Sequence, residues 1–402
     1  MAQLKHVSDV VALTEELVNI PSESFHEAEI ADAVEATLRG IGTGVEVVRV
    51  SNTVAARTHL GLPRRVILAG HLDTVPAADN LPAWCVDGVL HGLGSVDMKS
   101  GDAVFLHVFS TLCGSASAAE ELSCDVTVIF YEREEVAAQY SGIGELRRAY
   151  PDWFAGDFAI LGEPTGGLIE AGCQGSLRVK VTARGVRAHS ARAWLGDNAL
   201  HKLGPILTRI AADPSREVTL DGCTYREGLN AVVAHAGVAT NTIPDEATCF
   251  VNFRYAPDRT SSDALAHLLA VVAGVDAAAV VREEATEAIA AANQLLEERG
   301  AGLELELDDL SPAAPPNLNN PLAGRLIEIL TDLQAGQPGG EGPETVVRAK
   351  FGWTDVARFA EMGIPAINCG PGDPAFAHKP DEQCPVEQIL TVAAAVRKFL
   401  TR

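Results

Sequence analysis

The stretch Val66-Ile67-Leu68-Ala69-Gly70-His71-Leu72-Asp73-Thr74-Val75-Pro76 sets the reading of this chain. The apolar run Val66, Ile67, Leu68 predicts a short strand buried on both faces, ending at Gly70. His71 and Asp73 then project from its C-terminal end. Residues two apart in an extended chain share a face, so imidazole and carboxylate point the same way. One can bind a metal while the other orients it. An isolated His-x-Asp is more often two surface polar residues, so the rest of the chain has to decide.

Outward from that strand, apolar runs alternate with helical periodicity. Helices are expected over residues 8–20, capped by Ser8, and over 30–38 with Gly40 just past the end. Strands are expected at 45–50, 53–57, 65–69, 126–131 and 158–161, and helices at 102–112 and 141–150. This order implies an α/β domain with a mostly parallel central sheet. Near Gly175 the pattern changes, because Leu177, Val179 and Val181 alternate with Arg178, Lys180 and Thr182. A helix at 198–211, strands at 231–240 and 247–255, and a helix at 262–272 follow. Their β-α-β-β-α-β order predicts a small α+β sandwich with one solvated sheet face. The alanine-rich 277–292 reads as one helix, and 308–320 as the connector back. The α/β pattern then resumes with helices to about 334, at 354–362 and at 386–400, and a strand at 365–369. The expected organisation is a catalytic α/β domain, 1–176 and 315–402, interrupted by an inserted α+β sandwich, 177–314.

Composition narrows the function. A chain of 402 residues is long for one core, and 47% hydrophobic with 21% charged residues is ordinary for a globular enzyme. Lys plus Arg number 31 against 54 Asp plus Glu, a net charge of −23. That excludes nucleic acid and anionic membrane as expected partners, since both demand clustered positive charge. Residues 1–6 lack the pattern of a signal peptide, and no apolar run reaches the ~18 residues of a membrane span. The eight cysteines are scattered with no Cys-x-x-Cys, which suits free thiols in a reducing cytoplasm.

Four more polar clusters fall after predicted strands, where open α/β sheets hold ligands. They are Asp97 in Gly92-Leu93-Gly94-Ser95-Val96-Asp97-Met98-Lys99, the group Glu132, Glu134 and Glu135, Glu163 in Leu161-Gly162-Glu163-Pro164-Thr165, and His378 in Ala377-His378-Lys379-Pro380-Asp381-Glu382. Singly each reads as a cap or a solvated charge. Jointly they supply two imidazoles and several carboxylates, the donors a pair of zinc ions prefers. Two metals about 3.5–4 Å apart can share a carboxylate and stabilise the oxyanion formed when water attacks a carbonyl. A general base outside the ligand set is also needed, and adjacent glutamates supply one ligand and one base.

As an ordered set, these motifs resemble the dinuclear zinc family of aminoacylases, deacetylases and carboxypeptidases, over nearly the whole chain. The resemblance implies that His71 and Glu163 hold one zinc, His378 and Glu135 the other, and Asp97 bridges them. It implies that Asp73 orients His71, that Glu134 is the general acid/base, and that the Asp97–Met98 peptide is cis. Two Zn2+ per subunit are expected, with Co2+ able to substitute. The inserted domain is expected to act as lid and to form a homodimer, His189 reaching across it to the tetrahedral oxyanion. Stretches 169–178, 188–199, 252–259 and 352–356 are similar to the branch that hydrolyses N-succinyl-LL-2,6-diaminopimelate to succinate and LL-diaminopimelate. Arg254 and Asn241 match positions that hold carboxylates of this small anionic substrate, and Ser176, Gly352 and Thr354 are further candidates. Arg133 stands where the family commonly has Asp, and Cys173 and Gln174 where some relatives have arginines. The alternatives are an acetylornithine-type deacetylase, a dipeptidase or carboxypeptidase, and a non-catalytic metal-binding dimer.

Overall fold

Residues 65–71 form the strand Arg65–His71, buried from Val66 onward, in the interior of an eight-stranded sheet. The structure, a computed structural model, describes residues 3–42, 44–114, 117–335 and 346–402. The sheet order is Val45–Val50, Thr53–Thr58, Asp125–Tyr131, Arg65–His71, Phe158–Pro164, Ala366–Gly370, Ile169–Ala171, Val347–Ala349. The four central strands, from Asp125–Tyr131 to Ala366–Gly370, run parallel, with antiparallel neighbours on both sides. Asp125–Tyr131 and Phe158–Pro164 are buried at every residue, as their unbroken apolar runs require of strands covered on both faces.

The helix Lys99–Cys113 packs on the strands Arg65–His71 and Phe158–Pro164. It lies close because Gly101 has no side chain: a Cβ there would stand 2.2 Å from the Gly162 carbonyl oxygen. This fixes Asp97, just before the helix, beside Glu163, just after Gly162. The helices Val10–Val18, Pro321–Ala335 and Val386–Leu400 add their apolar faces to the same core.

The described chain divides into two compact units, one of Met1–Gly172, Pro316–Arg348 and Thr354–Arg402, the other of Cys173–Pro315 and Ala349–Trp353. The second has its own core and a four-stranded antiparallel sheet ordered Gly228–Ala236, Glu246–Tyr255, Gly175–Arg184, Leu303–Ser311. Leu177, Val179, Val181 and Ala183 are fully buried while Arg178 and Lys180 face outward, so the alternation holds over 177–181, whereas Thr182 is buried as well.

Local differences have physical causes. Asp9, not Ser8, caps the first helix, because its Oδ1 accepts the N–H groups of Val11 and Ala12. Gly40 is the last residue of the second helix rather than the residue after it. Residues 277–292 fall in two helices, Ala277–Val280 and Ala285–Glu298, since Asp276 caps the first and Val281 is already extended. Residues 308–311 continue the strand Leu303–Ser311, whose bulge at Leu307/Asp309 breaks the alternation. Two small elements were not anticipated: the hairpin Glu217–Leu220/Cys223–Arg226, and a three-stranded sheet of Trp84–Val86, Val89–His91 and Gln383–Pro385.

Candidate metal centre

The larger unit gathers the five polar clusters at the C-terminal ends of its parallel strands. His71 is the last residue of its strand and is 1% exposed. Its Nδ1 lies 3.0 Å from the carbonyl oxygen of Asp73 and its Nε2 3.1 Å from Asp97 Oδ1. The other oxygen of that carboxylate, Asp97 Oδ2, is 3.3 Å from His378 Nε2, which is 2.9 Å from Glu135 Oε1. One carboxylate therefore faces two imidazoles, one with each oxygen. The Asp97–Met98 peptide is cis.

Two groups with candidate ligand atoms all within 4.8 Å share Asp97: His71, Asp97 and Glu163, and Asp97, Glu135 and His378. A third contains His71, Glu134 and Glu135. Imidazole nitrogen and carboxylate oxygen suit zinc, and the double use of Asp97 fits a pair of ions rather than one.

Asp73 does more than face His71. Its Oδ1 accepts the Glu134 N–H at 3.0 Å, and its Oδ2 accepts the Glu135 N–H at 3.1 Å and the Ser24 hydroxyl at 2.8 Å. Ser24 carried no sequence signal. Arg133, in a left-handed conformation with φ 61°, turns its guanidinium to Glu132 and to Glu145 (3.3 Å), and its Cζ stands 5.9 Å from the centre of the Phe25 ring. The cation is thus spent on groups other than Glu134.

Electrostatics follow from burial and pairing. Desolvation works against a charged His71, yet the hydrogen bonds to Asp73 and Asp97 prevail and push its pKa well up. Hydrogen bonds to Asp97 and Glu135 push His378 up to about 10. Desolvation, opposed by His71 and reinforced by Glu163, Asp355 and Glu135, pushes the Glu134 carboxyl well above its ordinary range. A carboxyl raised in this way is suited to general acid/base work.

The remaining sequence candidates lie apart from this cluster in the chain. In the smaller unit Ser176 and Arg254 are directly opposite across two strands. His189 pairs with Thr242, and the Ser190 N–H donates to the Asn241 carbonyl at 2.9 Å. Gly352 is exposed in the segment Ala349–Trp353. Thr354, in the larger unit, is buried and gives its hydroxyl to Asn368 Oδ1 at 2.9 Å. Sequence reasoning missed Glu382: its buried carboxylate accepts backbone N–H groups from the Asp97 loop.

The family model "Peptidase family M20/M25/M40" matches residues 67–402. The chain belongs to this family. Among curated M20 relatives, the succinyl-diaminopimelate desuccinylase of Corynebacterium glutamicum is 50% identical over 397 residues, covering 98% of this chain and 97% of the relative. The putative succinyl-diaminopimelate desuccinylase DapE of Mycobacterium tuberculosis is 48% identical over 392 residues, covering 98% of each. Among solved structures, the aminopeptidase PepT from Bacillus cereus shares the M20 fold with a TM-score of 0.72 at 18% identity, over 98% of both chains. The M20 chain described here is accordingly a metal-dependent amidohydrolase with a mixed α/β fold.

Proposed function

We propose that this enzyme hydrolyses N-succinyl-LL-2,6-diaminopimelate to succinate and LL-2,6-diaminopimelate, with two zinc ions at the Asp97 cluster. The observation that carries the reading is Asp97 itself, with Oδ1 on His71 and Oδ2 on His378, and Glu134 partly buried nearby. The two curated relatives at 50% and 48% identity support the substrate.

His71, Glu163, His378 and Glu135 are the terminal ligands in this reading, and Asp97 the bridge. When bound, the two ions supply Lewis-acid polarisation of the amide carbonyl and lower the pKa of the attacking water. Asp73 fixes the backbone of Glu134 and Glu135 and with it the aim of both side chains. Glu134 takes a proton from the attacking water and returns it to the leaving nitrogen, a transfer favoured by its raised pKa. Arg254, with Ser176 opposite it, holds a substrate carboxylate, and Asn241, Gly352 and Thr354 assist.

The smaller unit is also the lid and the seat of a homodimer. Its edge strand Gly228–Ala236 leaves one side unpaired among the described strands, exposes Val232 and Val233, and packs beside the helix Ala199–Ala212, which exposes Leu200 and Leu207. Such a strand beside apolar residues is a template for pairing with a second copy. His189 Nδ1 accepts the Ala191 N–H at 3.1 Å, which leaves Nε2 protonated and able to donate to an oxyanion in the partner's site. The reaction runs in the cytoplasm in this reading, in keeping with eight cysteines scattered without a Cys-x-x-Cys. Among the described residues no helix is long and apolar enough to cross a membrane.

The test is amine release from a panel: N-succinyl-LL-diaminopimelate, N-acetylornithine and simple dipeptides. A kcat/KM for the succinyl substrate at least a hundredfold above the others supports the proposal. A preference for the acetyl or peptide substrate moves the enzyme to another branch of the family.

A further inference from the structure

The side chain of Glu382 is 2% exposed and lies far in sequence from the loop it serves. Its Oε1 accepts the N–H groups of Val96 at 2.7 Å and Asp97 at 3.0 Å, and its Oε2 accepts that of Gly94 at 3.0 Å. Its own carbonyl oxygen accepts the Gly92 N–H at 3.2 Å. Four residues of Gly92–Asp97 are thus tied to one glutamate. The glutamate is held in turn: its N–H donates to the Lys379 carbonyl at 3.2 Å, and the strand that follows, Gln383–Pro385, pairs antiparallel with Val89–His91.

The connection is specific to the site. Lys379 is next to His378, and Asp97 is the residue between the two imidazoles. A single buried carboxylate joins the loop of one imidazole to the loop of the bridging carboxylate. Core packing alone does not call for this, because a buried ionised group is costly unless its oxygens are satisfied. Three N–H donors offset part of that cost here, while burial still pushes the carboxyl up to about 7.

We propose that Glu382 is a positioning residue that aims the Asp97 carboxylate at both metal sites. This rests on the two-metal reading of the cluster. The carboxylate clamps the backbone N–H of Asp97 itself, which sets the direction of its Cα–Cβ bond and so where Oδ1 and Oδ2 are placed. Gln in its place keeps the shape but puts an amide NH2 against the N–H of Gly94 or of Val96 and Asp97. Asp keeps the charge but falls short of the loop by one methylene.

The experiment is a Co2+ titration of the metal-stripped parent, Glu382→Gln and Glu382→Asp, read by calorimetry and by the visible d–d spectrum, with kcat and KM on the reloaded proteins. Glu382→Gln is expected to weaken Co2+ binding roughly 10- to 100-fold, the range for groups that orient ligands. Its d–d bands are expected to shift, and kcat to fall at least tenfold with KM changed less than threefold. Glu382→Asp is expected to show the same changes to a smaller degree. A Glu382→Gln protein that binds two Co2+ with the parent's affinity and spectrum overturns the role of Glu382. Should that variant not fold, Glu382→Asp with the parent's affinity, spectrum and kcat does so. A parent that binds no Co2+ overturns the two-metal reading and the inference with it.

Discussion

Asp73 Oδ1 accepts the backbone N–H of Glu134 at 3.0 Å, so the residue beside one imidazole also holds the backbone of the proposed base. The same carboxylate takes the Glu135 N–H and the Ser24 hydroxyl. Asp73→Ala removes all of these anchors and the carboxylate charge 3.6 Å from His71 Nδ1, while the Asp73 carbonyl oxygen that meets Nδ1 stays. Metal affinity is expected to drop roughly 10- to 100-fold, with kcat falling by more than the metal loss explains. Atomic absorption and kcat at saturating metal separate the two losses, and kcat restored fully by excess metal would leave Asp73 with no part in placing Glu134.

Glu134→Gln keeps the volume and removes the proton acceptor. kcat is expected to fall roughly 10²- to 10⁴-fold while two metals per chain and KM stay near the parent's. A variant with more than a tenth of the parent's kcat would show that another group carries the proton.

The fold and the candidate cluster were legible because both depend on local pattern. The run Val66 to Leu68 and the fully buried strands on either side of it read directly as a parallel sheet. His71, Asp97, Glu163 and His378 each carry a short motif, and the structure brings them into two groups of candidate ligands that share Asp97. Glu382 was quoted within a motif but given no role, since its partners lie about 285 residues away and are backbone N–H groups that carry no sequence mark. Ser24 was invisible because it stands in no motif of its own, and its hydroxyl meets Asp73 from 49 residues away. The break in 277–292 is set by Asp276 capping a one-turn helix, and alanine content alone reports only helix propensity. The small strands at Trp84–Val86 and Gln383–Pro385 are three residues each, too short to show alternation.

In the smaller unit burial opposes an ionised Glu227, yet hydrogen bonds from Arg216, Arg259 and the Ala256 N–H overcome it and hold the carboxyl down at about 2. A folded-state pKa below the unfolded one stabilises fully above the unfolded value and is lost as pH falls toward the folded one. The parent is therefore expected to lose about 2 kcal/mol more than Glu227→Gln as pH drops from about 5 to about 2. Urea unfolding at several pH values checks this, and parallel curves for the two proteins would contradict it.

The proposal that His189 reaches the partner's site makes a complementation prediction. His189→Ala and Glu134→Ala are each expected to be nearly inactive. Mixed at equal amounts and exchanged, they form dimers in which one of two sites has both side chains, so about a quarter of the parent's activity is expected to return. Val233→Asp in the exposed edge strand is expected to give monomers by sedimentation and to abolish the recovery. No recovery from freely exchanging parent-like dimers would mean that His189 acts within its own chain or not at all.

The most direct test of the account is anomalous diffraction at the zinc edge from crystals of the zinc-loaded protein. Two peaks about 3.5–4 Å apart are predicted, one beside His71 and Glu163, the other beside His378 and Glu135, with an Asp97 oxygen on each. A single peak, or two that do not share Asp97, would contradict it.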